Sequence, residues 1–241
     1  PIVESGSYQI DLTDPQQTIA GLGVEIQSDS IASGNAGLPE EPNSVPHDLS
    51  ESERDRFYSD LLKGFRYVRL AGGLFYRGTD EEGKHLQGRW DTQDAELAEM
   101  VEKSGVEGFN LEFWSPTPYF KASGKYTGGG LTSNEMKMLR CYGPNFASDP
   151  VYHGDKDAFL NDFADTLVYD FLRMREAGLP IVQFSLQNEP PLTSVYGDYS
   201  FCYYTPQAYY ETSKVVLPKL KAAMPDLFIH ANSWEGQHAA E

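Results

Sequence analysis

The chain has 241 residues, enough for one large domain or two small ones. With 40% apolar and 13% aromatic residues, it suits a globular protein rather than a disordered or fibrous one. A net charge of −17 makes phosphate backbones and anionic lipid poor partners, so no nucleic acid and no membrane surface is expected. No apolar run reaches the length of a membrane span.

Taken in chain order, strand and helix signals alternate. Residues 18–26 form a short apolar segment of strand type, with Gly21 and Gly23 suggesting close backbone approach. Residues 50–65 read as a helix opened by a capping box of Ser50 and Glu53. A strand follows over 65–70 and carries Arg69. A helix over 91–104 takes Asp91 as its N-cap and Gly105 as its stop. The next strand covers 106–114 and leads into a long Gly-rich loop. An amphipathic helix over 155–177 places Phe159, Phe163, Leu167 and Phe171 four residues apart, with Gly178 and Pro180 ending it. Residues 181–186 form a strand. Thr205 and Pro206 open a helix running to about Ala223, and 227–232 is the last strand.

Such alternation implies a parallel sheet with crossover helices, and a doubly wound sheet and a (β/α) barrel both fit. No Gly-x-Gly-x-x-Gly follows a strand and no phosphate loop is present, which lowers the weight of nucleotide-binding versions. A Gly-x-Ser-x-Gly nucleophile, as a doubly wound hydrolase requires, is also missing. The expected fold is α/β of the (β/α)8 TIM-barrel type, truncated after about the fifth strand. Residues 16–241 would form this incomplete catalytic barrel. Residues 1–15 would be an N-terminal segment that could belong to a β side domain.

The two cysteines, Cys141 and Cys202, are not in a Cys-x-x-Cys pair, and the five histidines show no metal-ligand spacing. No metal and no cofactor is therefore expected. One disulfide and two free thiols both fit the count. A bridge would join the loops after the third and fourth strands, and it would point to a secreted or periplasmic location.

The chemistry-bearing segment is Ser185-Leu186-Gln187-Asn188-Glu189-Pro190-Pro191. An apolar strand delivers Asn188 and Glu189 at its C-terminal end, where barrel enzymes place catalytic groups. Cleaving a glycosidic bond needs a carboxylic acid to protonate the leaving oxygen, and an adjacent amide can hold a sugar hydroxyl. The 15 Tyr and 3 Trp supply flat faces with polar tips, which sugar clefts use.

These residues resemble the clan A retaining glycosidases, in which Asn-Glu-Pro ends the fourth barrel strand. The nearer resemblance is to glycoside hydrolase family 30. It is carried by Gln17-Thr18-Ile19-Ala20-Gly21-Leu22-Gly23, by Phe65-Arg66-Tyr67-Val68-Arg69-Leu70-Ala71-Gly72-Gly73, and by Trp114-Ser115-Pro116-Thr117-Pro118. Gln187-Asn188-Glu189-Pro190, with Cys202-Tyr203-Tyr204-Thr205-Pro206 behind it, completes the set. The chain departs from the pattern at 72–76, where glucosylceramide-cleaving members carry an Asp, and at Tyr119, where Trp is usual.

The resemblance implies a retaining, double-displacement glycoside hydrolase acting on a β-linked glycan or glycoside. Glu189 would be the acid/base, Asn188 would bind the 2-hydroxyl, Arg69 would lie beneath the nucleophile, and Trp114 would wall the sugar subsite. The nucleophile is expected on a missing seventh strand, so this segment alone would be inactive. Glu235 lies only one strand-helix unit beyond Glu189, so Trp234 and Glu235 read as rim residues contacting substrate, as does Asp29 after the first strand. The alternative function is a non-catalytic carbohydrate-binding or structural fragment lacking the nucleophile.

Overall fold

The computed structural model describes residues 13–14, 18–26, 49–72, 87–125, 133–190 and 201–230. Five strands form one sheet in the order β1 to β5: β1 Gly23–Ile26, β2 Tyr67–Gly72, β3 Gly108–Phe113, β4 Ile181–Ser185 and β5 Phe228–Ile229. Every neighbouring pair is parallel. The crossovers carry helices α1 Glu51–Arg56, α2 Gln87–Ser104, α3 Lys156–Glu176 and α4 Pro206–Ala223.

Local chemistry sets the helix ends. At α3 the Asp155 carboxylate accepts from the Ala158 N–H at 2.9 Å, and at α4 the Thr205 hydroxyl accepts from the Ala208 N–H at 3.1 Å. Each satisfies an N–H that a helix start leaves without a partner. Gly105 and Gly178 stop α2 and α3 with φ of 74° and 89°, a region where other side chains are disfavoured. At α1 the Glu53 carboxylate accepts from the Ser50 backbone N–H at 2.9 Å, as the capping-box reading requires.

Two helix expectations need correction. α2 begins at Gln87, so Asp91 lies inside the helix and is not its N-cap. The helix expected over 50–65 is α-helical only to Arg56 and continues as a π-turn over Phe57–Leu61. The Leu62 N–H donates five residues back, to the Phe57 carbonyl at 3.0 Å, and this widens the last turn.

The core lies between the sheet and the helices. Phe159, Phe163, Leu167 and Phe171 of α3 are all fully buried. Phe163 packs on Phe113 of β3 with ring centroids 6.5 Å apart, and Phe171 on Phe184 of β4 at 5.2 Å. The spacing of four residues therefore lays one helix stripe across two neighbouring strands. Among its described residues, the long segment after β3 is a series of short 3-10 turns. Phe120, Phe146 and Tyr152 from it pack against Phe159. Of the N-terminal segment only Thr13 and Asp14 are described.

Candidate active site

Parallel register brings one polar residue from each of β1 to β4 to the same level. Glu25 of β1 pairs with Arg69 of β2, Arg69 with Asn110 of β3, and Asn110 with Gln183 of β4. With Tyr67 these side chains line a cavity of about 480 Å³ on the sheet face away from α3. Glu112 stands one pleat further along β3, level with Ala71 and Ser185.

Arg69 is the centre of this face. Its Nε donates to the Glu112 carboxylate at 2.5 Å, and its Nη2 donates to the same oxygen. Nη1 donates to Glu25, and Nη2 donates to Asn188 Oδ1 at 2.8 Å. The Glu112 side chain is 2% exposed and that of Glu25 is 40% exposed. The two carboxylates are thus unequal partners. Water screens the pair with Glu25, whereas Glu112 depends on Arg69 for compensation of a buried charge. The Arg69 guanidinium also lies 5.9 Å from the Trp114 ring centroid, within range of a cation–π contact.

The ends of β3 and β4 are tied together above this network. The Asn188 N–H donates to the Phe113 carbonyl at 2.6 Å. The buried Gln187 amide donates to the Trp114 carbonyl at 2.8 Å and to the Asn188 carbonyl at 2.9 Å. These bonds extend pairing beyond the last ladder residues and hold Trp114 next to Asn188. Glu189 follows, half-buried, with φ of 44°. This left-handed backbone turns the chain at the strand end, immediately before Pro190, whose carbonyl accepts from the Tyr204 N–H at 2.7 Å. On the other flank, His230 Nε2 lies 2.9 Å from Asn110 Oδ1.

Arg69, Asn188 and Trp114 are therefore brought together, with Glu189 next in sequence to Asn188. Asp29, Trp234 and Glu235 lie outside the described residues. Glu25 and Glu112 belong to the cluster although sequence reasoning did not single them out. The available signal was an acid inside an apolar strand, because a charge at such a position needs a buried partner. No group of three or more metal-ligating side chains occurs among the described residues. No described helix is long and apolar enough to cross a membrane. Cys141 and Cys202 are both buried and unbridged, and desolvation raises both thiols above their ordinary range.

No protein-family profile and no curated protein matches the sequence. Solved structures do. An endo-β1,6-glucanase, BT3312, is 17% identical with a TM-score of 0.61, over 92% of this chain and 45% of that one. SrfJ from Salmonella typhimurium is 20% identical with a TM-score of 0.58, over 89% and 44%. A glycoside hydrolase family 30 subfamily 8 xylanase from Clostridium acetobutylicum is 19% identical with a TM-score of 0.52, over 90% and 43%. The chain thus spans less than half the length of these structures. With its five parallel strands in sequential order and helices in the crossovers, the described fold is like that of the glycoside hydrolase family 30 structures of clan A.

Proposed function

We propose that the five strands are part of a (β/α)8 barrel and that the protein is a retaining glycoside hydrolase for a β-linked glycan. The observation that carries the reading is the joining of Arg69, reaching from within β2, to Asn188 and Trp114, which follow the C-terminal ends of β4 and β3. Barrel enzymes build their sites at that end of the strands. Glu189 is the acid/base, protonating the glycosidic oxygen as the bond breaks and then taking a proton from water in the second step. Asn188 binds the sugar 2-hydroxyl, and Trp114 forms an apolar wall of the subsite. The nucleophile is a second carboxylate about 5–5.5 Å from Glu189, supplied from outside the described strands. Arg69 lies beside it and favours its ionised form.

Glycosidases of several specificities share such a fold, so the sugar and linkage follow from loops rather than from these four residues. The net charge of −17 fits a neutral glycan better than an anionic one. A location in the secreted or periplasmic space is part of the same proposal.

The test is Glu189→Gln in the complete enzyme, assayed on aryl β-glycosides that differ in leaving group. An acid/base role predicts a fall in kcat/KM of about 10²–10⁴-fold for poor leaving groups. Glycosylation by substrates with good leaving groups should stay near wild type, because these need no proton. Equal loss on both kinds of substrate would overturn the assignment.

A further inference from the structure

Glu112 has no part in the chemistry just proposed, yet it is the most deeply buried member of the cluster. It lies between Leu111 and Phe113, whose side chains are fully buried, and its own side chain is 2% exposed. A buried carboxylate has to be compensated, and Arg69 contributes to this through both Nε and Nη2.

The guanidinium is a rigid plane with its N–H groups in fixed directions. Anchoring Nε and Nη2 on one carboxylate fixes that plane. The second Nη2 hydrogen then points at Asn188 Oδ1, 2.8 Å away. Glu25 cannot set the plane in this way, because it holds only Nη1, from a side chain that is 40% exposed. An asparagine side chain carries its acceptor and its donors on opposite edges. With Oδ1 held by a cation, turning the amide over would bring the Nδ2 hydrogens against the positive charge. We infer that Glu112 is a positioning residue: acting through Arg69, it sets which edge of the Asn188 amide faces inward and which faces ligand. That the ligand group is a sugar hydroxyl oxygen rests on the proposed glycosidase reading. The relay itself does not.

The test uses the full chain with ¹⁵N-labelled asparagine. The Asn188 side-chain signals are identified by their loss in Asn188→Asp. Glu112→Gln keeps the volume of the side chain but replaces one acceptor edge with a donor, and Glu112→Asp keeps the charge on a shorter arm. The expected result is that Glu112→Gln shifts both Asn188 Nδ2 proton signals and speeds their exchange with solvent by roughly tenfold or more. Glu112→Asp should restore part of the protection. Unchanged Asn188 signals in a folded Glu112→Gln protein of lowered Tm would overturn the inference, because Glu112 would then only fill the core. No sugar enters this measurement. A wild-type enzyme that fails to cleave aryl β-glycosides would therefore count against the glycosidase reading and leave the relay standing.

Discussion

The two faces of the sheet are built from the same strands and held by different forces. On the helix side, Val68, Leu70, Phe109, Leu111, Phe113 and Phe184 are fully buried, and Phe113 and Phe184 meet α3 through ring contacts. On the other side, Glu25, Tyr67, Arg69, Asn110 and Gln183 line an open cavity, with Glu112 buried one pleat further along β3. A period of two along each strand produces both faces. The apolar face gains stability in proportion to area removed from water. The polar face gains only what its charges return after desolvation, which for a buried pair is near zero or negative against an apolar substitute. The comparison separates fold from function: one face can be weakened without touching the site, and the other can be made more stable by destroying it.

The largest effect should come from the apolar face. Phe163 touches both Phe113 and Phe120, at centroid distances of 6.5 and 5.2 Å, so Phe163→Ala leaves a cavity at the junction of α3, β3 and the following loop. A loss of about 3–5 kcal/mol in urea unfolding is expected. The Arg69–Asn188 contact should persist in whatever fraction stays folded.

The polar face should respond differently. Arg69→Met removes the guanidinium that pairs with the buried Glu112 carboxylate and should cost about 2–3 kcal/mol, reduced by the partial exposure of Arg69. Combining it with Glu112→Leu should recover most of that loss. A double mutant that loses as much as the two singles together would show that the two side chains are not coupled, and one no more stable than Arg69→Met alone would blunt the contrast between the faces.

The smallest effect is a control on neither face. Thr205→Ala removes the hydroxyl that accepts from the Ala208 N–H at the start of α4 and should cost about 1 kcal/mol. A much larger loss would mean that α4, rather than the sheet, limits stability, and both comparisons above would then need a new baseline.

Much of the fold was legible because its signals are local. Asp155 and Thr205 cap the helices they precede, Gly105 and Gly178 end the helices before them, and the phenylalanine stripe of α3 faces the sheet. Asp91 misled because an acid at a helix start and an acid inside a helix look alike in sequence, and nothing in the residues before it marked the helix that runs from Gln87. The meeting of Arg69, Asn188 and Trp114 could be expected from strand order alone, since consecutive parallel strands are neighbours. Glu112 and Glu25 were not legible in the same way. Their partner is 43 and 44 residues distant, and an acid in a strand declares a need for a cation without naming which one.

Glu189 has a consequence for protein engineering. Its backbone lies at φ of 44°, where a residue other than glycine loses about 1–2 kcal/mol and asparagine is tolerated better than most. Gly or Asn at this position would relax the turn, and each would delete the carboxyl. A redesign scored on thermostability alone would therefore rank the proposed acid among the first residues to replace. Any library meant to harden this protein has to hold position 189 fixed and seek its gains on the helix side of the sheet.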